Sequence, residues 1–500
     1  MGLLHSLLTI QPGKEEQVME KSTLQGSKTV KPAVGKTPPH RNPLLAHKFG
    51  ADPYALVYED RVYLYMTSDK LEWDENGQAK ENSYGSIRKL TVISSADLAN
   101  WTDHGEIAVA GTEGTAVWAT QSWAPAIAHK RIDGRDQFFL YFANNGSGVG
   151  VLRGDSPLGP WTDPVGGPLI AAGTPGVEGV PWIFDPAVLV DDDGRGYLYF
   201  GGGVPEGQHE MPNSARVVRL GDDMVSLQGA AEIIPAPYMF EDSGIHKYGQ
   251  IYYYTYCSNF YEGERAEGSP PPGEIACMTS TSPMGPWTYQ GTFLHNPGHY
   301  FGVSGNNHHV IFPFRDRWYI AYHAQTLSAA MGVAHGYRST HLDLLELHEE
   351  GSLPEAKATL EGVPQLFHHD PYAPTGGNTC AWSAGVHTDA EVADGEGTVS
   401  LLSDGAWLGL AGVDFGSSGP TRFLAVIDAA GVQGGALEVR LDHVEGAVLS
   451  AVTIEPGGGF HEEVVTCAEK AAAGAHDLYL IFHADRQEDQ LALRSWRFER

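Results

Sequence analysis

The sequence predicts an all-β protein, a five-bladed β-propeller followed by a β-sandwich of jelly-roll type. Three observations carry that prediction. First, five stretches repeat one pattern: a polar or acidic signature, an apolar run, a polar turn and an aromatic-rich strand. They are ADPYALVYEDRVYLYMTSD from Ala51, SWAPAIAHKRIDGRDQFFLYFANN from Ser122, IFDPAVLVDDDGRGYLYFGG from Ile183, FEDSGIHKYGQIYYYTYC from Phe240 and NNHHVIFPFRDRWYIAYH from Asn306. Second, with Asp52, Ala124, Asp185, Glu241 and His308 as markers, the spacings are 72, 61, 56 and 67 residues. Repeats of that length built from short strands suit one blade each. Third, the texture changes near residue 378 to shorter, alternating strands such as ALEVRLDHVEGAVLSAVTIE and HDLYLIFHAD, the pattern of a sandwich.

The elements follow in order. Residues 1–42 are polar, carry Lys and Pro, and read as irregular. The propeller is expected over 43–350. Within it WTDHGEI at Trp101, GPWTDPVG at Gly159 and GPWTYQGTF at Gly285 recur near blade ends, where the Trp packs an outer strand on its neighbour. HLDLLELHEEGSLPEAKAT from His341 reads as a strand and an edge hairpin closing the propeller. A linker, 351–377, contains HHDPYAPTGGNT, rich in Pro and Gly. The sandwich is expected over 378–500. No long helical periodicity appears in either part.

Composition narrows the function classes. The chain has 32 basic and 62 acidic residues, a formal net charge of −30. Such a chain repels nucleic acid and anionic membrane and fits a neutral substrate such as a sugar. Cys257, Cys277, Cys380 and Cys467 form no CxxC pair, so buried free thiols are expected rather than zinc ligands, although Cys257 and Cys277 could pair across a hairpin. No apolar run reaches the roughly 18 residues of a membrane helix. MGLLHS meets a loose myristoylation pattern, but the start lacks a basic segment and a clear cleavage site, and Met19 is a plausible alternative start. A cytoplasmic protein is expected, with a secreted form as the alternative. Nothing in the sequence specifies an oligomeric state.

Three of the five signatures place a carboxylate just before the apolar run: Asp52, Asp185 and Glu241. If equivalent positions face the propeller axis, these carboxylates meet in one pocket. Hydrolysis of a glycosidic bond needs a carboxylic acid to protonate the leaving oxygen and a carboxylate to activate water or attack carbon. A third carboxylate beside the acid raises its pKa by like-charge repulsion.

At these motifs residues 1–345 resemble glycoside hydrolase family 43. GADPYALVYEDRVYLYMTSD, WIFDPAVLVDDDGRGYLYFG and MFEDSGIHKYGQIYYYTY look like its first-, third- and fourth-blade motifs. The resemblance implies a five-bladed propeller with Asp52 as general base, Asp185 as orienter and pKa modulator, and Glu241 as general acid. It also implies inversion, with Asp52 and Glu241 roughly 6.5–9.5 Å apart. His308, in GNNHHVIF, is the implied holder of a calcium ion in the channel, largely through waters. Arg338, in HGYRSTHLD, resembles the family's late arginine, which reaches sugar and base. Trp123 and Phe184 are expected as apolar walls against the sugar. His309 is expected to point away from His308, and Asp191, Asp192, Asp193 and Asp242 are expected as turn or surface carboxylates.

GAWLGLAGVDFGSSGPTRFLAVIDA, ALEVRLD and GAHDLYLIFHAD resemble family 6 carbohydrate-binding modules over about 120 residues. Trp407 and Phe460 match the aromatic sugar-binding positions approximately, and Trp496 reads as core. The matching asparagine falls near Leu493, so the expectation is a domain that packs on the propeller or shapes its entrance. Together the resemblances imply an exo-acting glycosidase releasing α-L-arabinofuranosyl groups from arabinoxylan or its oligosaccharides. The alternative is a β-D-xylosidase on xylo-oligosaccharides. A non-catalytic carbohydrate-binding protein would have lost at least one of the three carboxylates, and all three are present.

Overall fold

A computed structural model describes residues 30–333, 335–347, 353–388, 397–468 and 472–500. The start motifs at MGLLHS and Met19 lie outside the described residues. Residues 30–50 contain no strand or helix. The first sheet then contains β1 (Ala51–Tyr58), β2 (Arg61–Thr67), β3 (Lys89–Ser95) and β4 (Trp101–Ala108), in that order. The second contains β5 (Trp123–Ile132), β6 (Arg135–Ala143), β7 (Val149–Gly154) and β8 (Trp161–Thr162). The third contains β9 (Ala187–Val190), β10 (Gly196–Gly201), β11 (Ala215–Leu220) and β12 (Leu227–Ile234). β13 (Met239–Tyr248), β14 (Ile251–Ser258), β15 (Ile275–Ser280) and β16 (Thr288–Leu294) make the fourth. A short helix, α1 (Pro297–Phe301), precedes β17 (His309–Phe314) and β18 (Arg317–Ala324). Helix α2 (Thr326–Ala330) precedes β19 (Ser339–Leu345), which completes a fifth sheet of three strands.

Local chemistry explains the repeat. Tyr58 pairs with Arg61 across a two-residue turn, Glu59–Asp60, in which φ is 45° and 61°. Both central residues with positive φ define the turn whose twist matches a right-twisted hairpin. Asp133–Gly134 closes β5 and β6 in the same way, at φ 50° and 78°. The first strands then meet in a cycle: β1 packs on β5, β5 on β9, β9 on β13, β13 on β17, and β17 on β1. Trp287 crosses from the fourth sheet to Tyr199 of the third, edge to face at 6.2 Å.

Among the described residues, the stretch from His341 carries one strand, β19, and no edge hairpin. β19 ends at Leu345, and residues 353–368 carry no strand. Pro354 and Pro364 remove backbone donors there, which discourages a ladder. The segment is nevertheless fastened. Thr359 N–H donates to Asp343 Oδ2 at 3.0 Å, and Gln365 Nε2 donates to Asp97 Oδ2 at 3.0 Å.

The carboxy-terminal part contains β20 (Thr375–Gly376), β21 (Thr379–Cys380), β22 (Trp382–Ala384), β23 (Val386–Thr388), β24 (Val399–Leu401), β25 (Trp407–Asp414) and β26 (Arg422–Gly431). β27 (Gly435–Leu441), β28 (Val448–Ile454), β29 (Gly457–Thr466), β30 (Ala475–Ala484) and β31 (Gln490–Glu499) follow. One sheet has the order β23-β24-β31-β26-β29, with β20 on β31; the other has β22-β25-β30-β27-β28. Leu410, Phe423, Ile427, Leu437, Leu480 and Leu493 from both sheets share one core.

This part is fastened to the first sheet. β21 pairs with β4, extending that sheet to five strands. Asn100 and Ala411 exchange two hydrogen bonds, at 2.8 and 3.0 Å. The amino-terminal segment straps across the junction. Trp407 Nε1–H donates to Lys31 C=O at 2.8 Å, Trp382 Nε1–H donates to His40 C=O at 2.7 Å, and Arg41 lies 4.6 Å over the Trp382 ring. All four cysteines are free and buried, so Cys257 and Cys277 do not pair.

Candidate active site

A backbone irregularity positions the site. Asp52, Ala124, Asp185 and Asp242 all have positive φ, at 49°, 34°, 48° and 68°. The β1, β5 and β13 ladders slip at these points. A bulge of this kind re-aims the side chain away from the regular pleat. The repeat position in the fourth sheet is therefore Asp242, and Glu241 lies one residue before it. With that marker the last two spacings become 57 and 66 residues.

His308 is the hub. Its Nδ1 lies 3.4 Å from Asp52 Oδ1 and 3.6 Å from Asp242 Oδ1. Its Nε2 lies 3.1 Å from Asp185 Oδ2 and 3.8 Å from Glu241 Oε2. Burial alone would lower its proton affinity, but Asp52, Asp185 and Asp242 outweigh burial and raise it well above the histidine norm. His308 is thus ringed by four carboxyl groups.

Asp52 and Glu241 occupy opposite edges of this ring. Arg338 Nη1 donates to Asp52 Oδ1 at 2.7 Å. Burial pushes the Asp52 carboxyl upward, yet Arg338 and then His308 hold it well below the usual carboxylate range. His323 Nδ1 accepts the Asp52 amide at 3.1 Å, while Nε2 donates to Asn306 C=O at 3.0 Å. That pair of partners assigns the neutral tautomer. Among the described residues Glu241 has no comparable cation at hydrogen-bond distance; Oε1 accepts the Asn307 amide at 3.3 Å. Burial raises its pKa above the carboxyl norm, His308 opposes, and Asp185 and Asp52 add to the rise. Asp185 Oδ2 accepts the Asp242 amide at 3.0 Å, tying the third signature to the fourth.

Asp242 is neither a turn nor a surface carboxylate. It is 3% exposed. It accepts the His309 amide at 3.1 Å and lies 2.5 Å from His309 Nδ1, whose other nitrogen meets Thr255 Oγ1 at 2.8 Å. Gly244 makes room for this arrangement, since a Cβ there would sit 2.4 Å from Thr255 Oγ1. Asp191 does lie in the β9–β10 turn, where it takes Lys247 and Tyr252 at 2.8 and 2.6 Å.

Arg338 is a buried clamp and not a surface residue. Its Nε and Nη2 donate to Asp69 at 2.9 and 2.7 Å, a bidentate pair, before Nη1 reaches Asp52. Its guanidinium lies 4.9 Å over the Tyr84 ring. Trp123 meets that ring edge-on at 6.5 Å and donates Nε1–H to Tyr84 C=O at 3.0 Å. On the Glu241 side, Phe184 is only 5% exposed. The exposed ring is Trp182, 39% exposed, which meets Phe184 at 5.3 Å and Phe240 at 5.2 Å. Phe240 then meets Phe260, 40% exposed, at 5.5 Å. Asp69, Tyr84, Trp182, Phe240 and Phe260 were not singled out in the sequence. The one available signal was position: Phe240 immediately precedes Glu241, and Trp182 lies in the Asp185 motif.

On the axis lies a polar cavity of about 10 Å³, lined in part by Asp52, Asp185, Asp242 and His308. It has room for one atom-sized guest. Three carboxylates give it the charge and the hard oxygen donors that a divalent cation takes. The donor set fits a cation in charge, with Asp185, Glu241 and His308 offering ligand atoms within 4.8 Å of one another.

In the carboxy-terminal part, Trp407 is 2% exposed beneath the amino-terminal strap. Arg494 covers the Phe460 ring at 3.7 Å. Leu493 and Trp496 are core residues. Trp407 is therefore buried, and Phe460 is half-buried with Arg494 over one face.

A buried pair of carboxyl groups with opposed proton affinities, both facing one histidine, is what hydrolysis of a glycosidic bond requires. Residues 40–353 match Glycosyl hydrolases family 43, and residues 377–500 match Carbohydrate binding module (family 6). The chain belongs to glycosyl hydrolase family 43 and is a glycoside hydrolase. It is 48% identical to an arabinoxylan arabinofuranohydrolase of Paenibacillus polymyxa, over 93% of this chain and 75% of that protein. It is 47% identical to an arabinoxylan arabinofuranohydrolase of Bacillus subtilis, over 91% and 92%. A crystal structure of a Bacillus subtilis arabinoxylan arabinofuranohydrolase in complex with cellotetraose superposes with a TM-score of 0.89 at 45% identity, covering 94% of this chain and 99% of that one.

Proposed function

We propose that this enzyme releases α-L-arabinofuranosyl side groups from arabinoxylan or its oligosaccharides, with inversion at the anomeric carbon. Asp52 is the general base, Glu241 the general acid, and Asp185 orients the acid and raises its proton affinity. The observation that carries this reading is the opposed electrostatics of two equally buried carboxyl groups. Asp52 stays ionised beside Arg338, ready to take a proton from water. Burial, with Asp185 and Asp52, raises the proton affinity of Glu241 against the pull of His308, which favours the protonated form an acid needs. The Asp69–Arg338 clamp holds the base in place. Trp182, Phe240 and Phe260 form an apolar wall on the acid's side, suited to the C–H face of a sugar. Relatives named arabinoxylan arabinofuranohydrolases, 47 and 48% identical, support the substrate.

The proposal extends to the architecture. The five sheets are blades of one closed propeller, supported by the cycle of contacts from β1 back to β1. The two carboxy-terminal sheets are a sandwich of jelly-roll type, supported by their shared core. A calcium ion on the axis is part of the reading, with His308 as its protein ligand through water and Asp52, Asp185 and Asp242 supplying the negative surroundings. Bound there, it supplies fixed positive charge beneath the carboxylates. Chelator treatment should then lower the thermal midpoint, and added calcium should restore it; an unchanged midpoint removes the ion from the proposal.

The deciding experiment compares nitrophenyl α-L-arabinofuranoside with nitrophenyl β-D-xyloside, and follows the released sugar by proton NMR. Preference for the arabinoside, with the inverted anomer appearing first, is expected. Preference for the xyloside makes the enzyme a β-D-xylosidase. No cleavage of either, or of arabinoxylan oligosaccharides, overturns the reading.

A further inference from the structure

A second cavity lies behind the Asp52 clamp, where the first sheet, helix α2 and β23 meet. Its volume is about 800 Å³, within the roughly 300–1,000 Å³ of small-molecule sites. Lys48, Lys70, Arg88 and Lys89 all line it, in a chain whose net charge is −30. Lys48 is held 2.7 Å from Asp103, and Lys89 lies 3.5 Å from Glu106. Among the described residues, Lys70 and Arg88 have no carboxylate partner; Arg88 gives only its Nε–H, to Thr120 C=O at 3.3 Å. Glu113 also lines the cavity, but Asp69 is already committed to Arg338. The wall therefore retains two unspent cations against one unspent acid.

His47 supplies the independent observation. Its side chain lines the same cavity and is 3% exposed. Nε2 lies 2.8 Å from Asp103 Oδ2, while Nδ1 is buried with no hydrogen-bond partner among the described residues. Burial lowers the proton affinity of this imidazole, with Asp103 opposing. A neutral ring that donates Nε2–H to a carboxylate presents Nδ1 as a lone pair. A buried acceptor without a donor is unfavourable, and a ligand hydroxyl would satisfy it. Phe49, Leu71, Leu327 and Met331 add apolar surface to the wall. The ligand must then combine hydroxyl donors, an apolar face and a negative group.

We propose that this cavity binds an acidic oligosaccharide, a sugar chain bearing a uronic-acid carboxylate, with Lys70 and Arg88 facing the carboxylate and His47 Nδ1 accepting a hydroxyl. The sugar character rests on the proposed glycosidase reading; the cations and the unpartnered nitrogen do not. The site is one ion pair from the chemistry, because Asp69 forms part of its wall and also grips the arginine that holds Asp52. A small inorganic anion would fill little of this volume and leave the apolar wall uncovered.

The test titrates the full chain carrying Glu241→Gln, calorimetrically, with three probes: xylotriose bearing one glucuronosyl group, unsubstituted xylotriose, and sodium sulfate. The titration is repeated with Lys70→Ala and Arg88→Ala added. The acidic sugar should bind, and its Kd should rise at least about tenfold in the added variant, while that of xylotriose stays the same in both proteins. No binding of the acidic sugar, an unchanged Kd for it, or sulfate binding as tightly as the sugar overturns the proposal. In an otherwise wild-type chain, Lys70→Ala with Arg88→Ala should leave cleavage of nitrophenyl α-L-arabinofuranoside unchanged. Failure of that cleavage in the wild type itself would count against the proposed function and leave the titration readable.

Discussion

The two walls of the active site place similar carboxyl groups under similar burial and reach opposite results. Asp52 is 5% exposed and Glu241 6%, and each faces a different nitrogen of His308. Burial pushes both toward the neutral form. On the first-sheet side, a guanidinium clamped by Asp69 reverses that push. On the fourth-sheet side, His308 and the Asn307 amide at 3.3 Å do not. Desolvation is thus the common background, and one cation separates the two proton affinities.

The largest expected effect comes from removing either group. Asp52→Asn and Glu241→Gln should each lower kcat on an arabinoxylan oligosaccharide by about 10²–10⁴-fold, measured by sugar release. The two should part on nitrophenyl α-L-arabinofuranoside, whose leaving group needs little protonation: Glu241→Gln recovers much of its rate and Asp52→Asn does not. Equal recovery would refute the assignment of acid and base.

Next comes the anchor of the clamp. Asp69→Asn removes the bidentate partner of the buried Arg338 and leaves it paired with Asp52 alone among the described residues. It should cost about 3–5 kcal/mol of stability, read by denaturant unfolding, and up to about 10²-fold in kcat/KM through a displaced base.

A milder change tunes the comparison. In the proposed roles Asp52 works ionised, so activity should be present above its pKa and fall as pH drops through it. Glu241 then works protonated, so activity should fall as pH rises through its raised pKa. Arg338→Lys keeps the charge but loses the planar fork. The acidic limb of the kcat/KM profile should move up by about 1 pH unit, and the alkaline limb should stay in place. Movement of the alkaline limb alone would contradict the pairing.

The smallest effect is on the apolar wall. Trp182→Ala should raise KM for a long oligosaccharide by roughly 2–10-fold, the scale of one aromatic contact, with kcat on the nitrophenyl arabinoside unchanged.

Asp52, Asp185 and Glu241 were legible because a repeat places them in nearly the same register, and the register is a property of short-range pattern. Asp242 was misread because two acids stand side by side at 241–242. Aligning Phe184-Asp185-Pro186 with Glu241-Asp242-Ser243 identifies the second acid as the repeat position. Asp69 and Tyr84 were not legible for a different reason. Asp69 sits just past β2 and meets Arg338, 269 residues away in sequence; no local periodicity records such a contact. Phe184 was expected as a wall and Trp182 was passed over, because sequence alone does not show which of two neighbouring rings is outermost. The same limit applies to Trp407, whose cover is the strap around Lys31.

That strap has a consequence for the order in which the molecule is made. Residues 31–44 leave the ribosome before any sheet exists, yet their partners are Thr340, Trp382, Gly405 and Trp407. The first sheet likewise waits for β21, more than 270 residues later, to cover its outer strand. During synthesis the first sheet therefore stands with its outer edge open until Cys380 of the 500 residues has emerged, the interval in which an unpaired strand edge is most exposed to a wrong partner.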